Sequence, residues 1–148
     1  MLIIFGVLFM LCAYAAVGAF SGAGWIFLNL PSALLVFAPL LFFLVASKSG
    51  RVLGRYVSAS FRKDPAYTKA ELATLSRAAK NAGKFVLWAG AFAFLAGTIA
   101  ALAFLGSPGS LGPNVAISLI TLAYAVSANC FVFLPVRAWA ENKASEMS

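Results

Sequence analysis

The chain has 148 residues, of which 63% are hydrophobic and 10% charged, with no histidine and a mean hydropathy of +0.96. A water-soluble domain carries about 45–50% apolar residues, so a chain this short and this apolar is excluded from that class and belongs in a bilayer. The formal net charge of +7 does not point to nucleic acid, because no nucleic-acid motif accompanies it and a basic segment beside a membrane meets anionic lipid instead.

Four stretches approach the roughly 20 apolar residues that a bilayer-crossing helix needs. They are about 2–20, 31–46, 85–105 and 114–135, and none contains Asp, Glu, Lys or Arg. In the first, Ala13-Tyr14-Ala15 offers small residues at signal-peptidase spacing, but no Lys or Arg precedes the run; a retained span is predicted. Cys12 and Cys130 fall inside the first and fourth runs without metal-ligand spacing, so both are expected to be small buried hydrophobes.

Segment 47–84, between the second and third runs, holds Lys48, Arg51, Arg55, Arg62, Lys63, Lys69, Arg77, Lys80 and Lys84. Linkers 21–30 and 106–113 hold no charge, while the tail adds Arg137, Lys143, Glu141 and Glu146. Basic residues stay on the cytoplasmic side, which predicts an all-α, four-span membrane domain over 1–148 with both termini inside. Within the basic segment Asp64-Pro65 reads as a turn. Thr68-x-x-Glu71 reads as a capping box, starting a helix near Lys69 whose Leu72, Leu75 and Ala79 share one face. That helix can run through Gly83 into the third span as one rod. Ser107-Pro108-Gly109 and Gly112-Pro113 predict a tight outer turn, and Trp25, Trp88 and Trp139 are expected at membrane interfaces.

A membrane protein that moves ions usually holds an ionisable residue at depth, and these runs have none. The chain also lacks a metal-ligand cluster, a nucleophile–base pair and a phosphate loop; no enzyme activity and no cofactor are expected. Either it conducts nothing or a partner helix supplies the carboxylate. The polar residues inside the third and fourth runs include Thr98 in the third and Ser118, Thr121, Tyr124, Ser127 and Asn129 in the fourth. Ser118, Thr121, Ala125 and Ala128 recur at i, i+3, i+7 and i+10 and draw one narrow stripe of small or hydroxyl side chains. Ala89, Ala93, Gly97 and Ala101 form a small-residue row on the third span, beside Thr98. Counted from the helix ends at 105 and 114, Thr98 and Thr121 each lie roughly 10 Å deep and share one level. Such hydroxyls either bond back to their own backbone and glue helices together, or face a partner's ionisable group.

Three local patterns resemble the MotA/TolQ/ExbB family, the channel subunits of flagellar stators and related ion-driven complexes. Asn29-Leu-Pro31-Ser32 followed by aliphatics is similar to the entry into the family's second span. Gly97-Thr98 is similar to the Gly-Thr of its third, and the stretch from Ala116 through Thr121, Tyr124, Ala128-Asn129 and Leu134-Pro135 to its last. The resemblance implies a multi-pass protein of the bacterial inner membrane. Several copies, five in relatives, would ring two helices of a single-span MotB/ExbD-like partner, whose membrane Asp carries H+ or Na+. Thr98 and Thr121 would face that Asp, with Gly97, Ser118 and Tyr124 along the same path and Pro31, Asn129 and Pro135 as structural positions. Segment 47–84 is much shorter than the rotor-engaging domain of MotA proper, and Phe37-Ala38-Pro39 stands where the family has a glycine pair. Those departures suit an alternative, a non-conducting assembly protein derived from the family. A small transporter would need a membrane charge of its own.

Overall fold

The structure, a computed structural model, describes residues 2–21, 29–59, 67–103 and 108–147. They form α1 (Leu2–Ser21), α2 (Leu30–Ala46), α3 (Ser49–Ala59), α4 (Lys69–Ala103), α5 (Pro108–Ala128), a π-helical turn (Asn129–Phe133) and α6 (Leu134–Glu146), with no strand among the described residues. Three helical rods are long and apolar enough to cross a membrane: α1, the 35-residue α4, and the continuous run from α5 through the π turn into α6. The 17-residue α2 joins them as a fourth candidate when taken with α3, to which it connects through a bend of 95°. Asp64-Pro65, Trp25 and Ser107 lie outside the described residues.

Local chemistry starts and stops these elements. Asn29 caps α2 by accepting the Ser32 N–H on its Oδ1 at 3.0 Å, and Pro31 occupies the first turn, where a missing N–H removes no helix bond. At the other end Ser47 N–H donates to the Phe43 carbonyl, and Lys48 takes a left-handed φ of 56°, which sends the chain sideways into α3. The Thr68 capping box forms as its spacing predicts: Glu71 N–H donates to Thr68 Oγ1 at 3.3 Å, while Thr68 N–H donates to the Glu71 carboxylate at 3.0 Å. From Lys69 the helix runs unbroken to Ala103, as one rod through Gly83, burying Leu72, Leu75 and Ala79.

α4 and the α5–α6 rod form an antiparallel pair, and the seam between them is glycine. Gly83, Gly90 and Gly97 recur every seven residues along α4, so all three point at the same neighbour. A Cβ at Gly83 would strike Asn129 Oδ1, one at Gly90 would strike the Ala125 methyl, and one at Gly97 would lie 2.5 Å from Ser118 Oγ. Without those methyls the backbones close to dispersion contact, the main attraction available where lipid tails are as apolar as the side chains. α2 packs across this pair: Phe43 stacks on Phe85 at 4.4 Å, and Val36 and Leu40 are buried in the same core as Val86 and Ile120. α1 leans on the far side through Gly6, whose missing Cβ admits the Phe131 carbonyl.

Two expectations are corrected. Gly112-Pro113 is not a turn: α5 begins at Pro108, and Pro113 is tolerated near the helix start, where it forfeits only the bond to the Gly109 carbonyl. Cys12 and Cys130 are exposed rather than buried, because they fall on the outer faces of α1 and of the π turn. Trp88 is likewise outward, whereas Trp139 packs between Tyr56 and Tyr67 with Lys143 over its ring.

Candidate functional site: the hydroxyl wall of α4 and α5

The stripe expected on the last apolar helix is present, and it faces inward. Ser118, Thr121, Ala125 and Ala128 are 2%, 2%, 0% and 4% exposed. They take the glycines of α4 on one side, so their first role is close packing of backbone on backbone. Each hydroxyl is satisfied within its own helix: Ser118 Oγ donates to the Asn114 carbonyl at 3.0 Å and Thr121 Oγ1 to the Ile117 carbonyl at 2.9 Å. Thr98 Oγ1 does the same on α4, donating to Phe94 at 2.8 Å. Such back-bonding removes the penalty of a bare hydroxyl in an apolar medium and leaves the oxygen lone pairs for a further donor.

Thr98 and Thr121 do not occupy one level. The pairing of Gly97 with Ser118 and of Gly90 with Ala125 puts Thr121 opposite Phe94, one helical turn or about 6 Å from Thr98. α5 starts at Pro108, six residues ahead of Asn114, so depth along it is not measured from 114. Thr98 is half-buried at the edge of the outward face of α4, and Leu95 and Leu102, at i−3 and i+4, flank it on that face. Thr121 is instead fully buried, on the side of α5 that meets α4. The two hydroxyls therefore lie on opposite sides of the same wall, one open to a neighbour and one not.

Tyr124 belongs to a polar knot tying α1, α2 and α5 together. Its hydroxyl accepts the Asn29 N–H at 3.3 Å, and its ring meets Tyr14 edge-on at 5.4 Å and Phe37 at 6.4 Å. The Tyr14 and Ser127 hydroxyls share a hydrogen bond of 2.9 Å, and Ser32 Oγ donates to the Ile117 carbonyl at 3.4 Å, the acceptor that Thr121 also uses. Tyr14, Asn29 and Ser32 are the members that spacing on single helices did not single out as a set. The Asn-x-Pro-Ser cap signals two of them; Tyr14 has no local signal, since its partner is 113 residues away.

Asn129 opens the π turn, and Pro135 is the second residue of α6. Pro135 has no N–H to offer the Phe131 carbonyl four residues back, and that carbonyl is the one seated against Gly6. Beyond the apolar level α4 and α6 continue side by side: Ser76 Oγ donates to Glu141 Oε1 at 2.9 Å, and Arg137 Nε donates to the same oxygen at 2.8 Å. Those donors hold the Glu141 carboxyl below its ordinary 4.5, the Arg137 bond contributing most. Glu71 is held below 4.5 as well, chiefly by the Thr68 backbone N–H. A shallow cavity of about 360 Å³ lies between Leu72, Ser76, Arg77 and Lys80 on α4 and Ala140, Glu141 and Ala144 on α6.

These features define an all-helical chain with three to four apolar helices able to span a membrane, locked by a glycine seam and a polar knot. Comparison with protein-family models, curated proteins and solved structures found no match.

Proposed function

We propose that the chain is a multi-pass subunit of an ion-driven channel or motor complex of the MotA/TolQ/ExbB kind. In this reading α1, α2, α4 and α5 cross a bacterial inner membrane, the basic segment and both termini lie in the cytoplasm, and several copies surround a single-span MotB/ExbD-like helix. That helix brings the Asp that binds H+ or Na+. The observation that carries the reading is the outward edge of α4: a half-buried hydroxyl, Thr98, set between Leu95 and Leu102 on a face without charge. A neutral wall with one hydroxyl disfavours a bare carboxylate and tolerates a protonated or ion-paired one, so it can bias a partner Asp between states without holding the ion itself. Thr121, Ser118 and Tyr124 support the wall from within; Thr121 reaches the path only if the α4–α5 seam opens.

The chain should copurify as a ring with a single-span protein that carries a membrane Asp. Thr98→Val is expected to lower ion-driven activity at least tenfold while the ring still assembles, since a methyl replaces one oxygen without change of shape. Thr121→Val tests the inner hydroxyl the same way. If both variants keep full activity in a working assay, these hydroxyls take no part in conduction.

A second reading is a non-conducting scaffold of the same architecture. It is favoured by the full burial and self-satisfaction of Ser118 and Thr121, which is how hydroxyls behave when they only glue helices. Recovery of a stable complex that lacks any single-span carboxylate protein would select it.

A further inference from the structure

We infer that α3 and the adjoining turn of α4 form a clamp for anionic phospholipid headgroups on the inner membrane face. The inference rests on the membrane placement and orientation above, not on conduction. Its starting point is the bend of 95° between α2 and α3: if α2 crosses the bilayer, α3 runs along its surface. The level is fixed by packing. Phe43 near the end of α2 stacks on Phe85 of α4, and a Cβ added at Gly83 would lie 3.2 Å from Phe133 Cβ, so the apolar turns of three helices end at one level. Lys84, Lys48 and Arg137 come at that boundary, each within a few residues of it.

α3 is built for a surface. Leu53, Tyr56 and Ser49 are buried on one face, Val52 and Val57 are half-buried on its flanks, and Arg51 and Arg55 project together from the opposite face. Its apolar face is taken up by the protein core, so packing holds α3 in place and leaves the arginine face exposed to whatever lies at that level. Lys84 on α4 stands at the apolar boundary and Lys80 about 6 Å beyond it, within the headgroup layer of roughly 5–7 Å on each side of the hydrocarbon. Arg55 has one acidic neighbour, Glu71, at 3.7 Å in an exposed pair of little strength. Lys48, Arg51 and Lys84 make no ion pair among the described residues.

A second observation comes from the backbone. Lys48 occupies a left-handed φ of 56° at which glycine would be unstrained, and a non-glycine residue there costs about tenfold in the conformational equilibrium. A long cationic side chain stands at a turn where glycine would serve the geometry better. Its charge sits at the edge of the hydrocarbon, next to Arg51. Phosphate oxygens of an acidic lipid satisfy both, with Arg51 and Arg55 able to take them bidentately.

The test reconstitutes the full chain into nanodiscs of phosphatidylcholine mixed with phosphatidylglycerol and measures, by lipid extraction or native mass spectrometry, which lipid stays with the protein. Wild type should retain phosphatidylglycerol selectively, with selectivity falling as salt rises. Each cation neutralised in Arg51→Gln, Arg55→Gln and Lys84→Gln should lower it about five-fold, with helicity and reconstitution unchanged. Lys48→Gly, which relieves the strained φ, should be more heat-stable yet less selective. Equal retention of both lipids by wild type, or a triple Gln variant as selective as wild type, overturns the clamp while leaving the membrane reading intact. Protection of α3 by a soluble acidic peptide in pure phosphatidylcholine discs, without lipid selectivity, assigns the patch to a protein and also overturns it. Failure of the wild-type chain to float with phosphatidylcholine vesicles overturns both the clamp and the membrane placement.

Discussion

Gly54 and Gly90 are both interior to helices, and the same substitution should act on them with opposite sign. Nothing lies within 4 Å of a Cβ at Gly54, on the open side of α3. Gly54→Ala there gains helix propensity of about 1 kcal/mol and is expected to raise the thermal unfolding midpoint in detergent. At Gly90 the added methyl meets the Ala125 methyl, which is rooted on the facing backbone and cannot rotate away. Overpacking of that kind costs about 1–3 kcal/mol and outweighs the propensity gain, so Gly90→Ala should lower the midpoint. A rise for both variants would show that α4 and α5 are not packed at this seam. Three glycines spaced by seven are visible in the sequence, but so is the row of Ala89, Ala93, Gly97 and Ala101. Small size alone does not say which row meets a backbone; only the partner helix settles it, and that partner is not local.

At the scale of elements, α4 shows what sequence can and cannot specify. Its start was legible because a capping box is a local hydrogen-bond exchange among four residues, and its length was legible because nothing between Lys69 and Ala103 breaks a helix. Thr68→Ala should remove about 1 kcal/mol from the first turn, read as faster amide exchange at Glu71 and Leu72 with the membrane half unaffected. Glu71 and Glu141 add a pH dependence whose sign follows from their lowered values. Their contribution is complete above the unfolded value of 4.5 and is lost as pH falls through the lower folded values. The first turn of α4 and the Glu141 end of α6 should therefore loosen on acidification below about pH 4.5 and not between pH 5 and 8, as hydrogen exchange across that range will report; both carboxyls are exposed, so the effect is small. The start of α5 was not legible. Ser-Pro-Gly and Gly-Pro are turn signals, but proline is tolerated in the opening turns of a helix, where few of the N–H groups have a partner, and α5 runs from Pro108 through Gly112-Pro113.

For the molecule as a whole, side-specific labelling decides the orientation on which the functional reading depends. With Cys12 and Cys130 replaced by Ala, single cysteines at Ser58, Ser145 and Gly109 can be probed by an impermeant thiol reagent on intact spheroplasts. Only Gly109→Cys is expected to react from outside; labelling of either other position would reverse or break the both-ends-in arrangement. The four apolar runs were plain from composition alone, because hydrophobicity needs no partner to be read. The candidate site was less so: Thr98 and Thr121 were identifiable by type, but helix rotation, which no single helix specifies, turns one outward and the other inward. That rotation is set in part by the π turn. The inward positions of the last rod run 118, 121, 125, 128 and then 133, 136, 140, a step of five where three or four is normal. One surplus residue is absorbed at Asn129–Phe133, where Leu134 N–H reaches back to the Asn129 carbonyl. The rod therefore carries a spare unit in its reading frame: removing Cys130 should convert the loop to plain α-helix and leave both halves facing α4. Removal of Leu122 should instead swing everything after it by about 100° and destroy the fold. A shorter chain that assembles as well as the natural one, compared by yield and unfolding midpoint, would mark Asn129–Phe133 as an insertion held for bending the rod rather than for filling it.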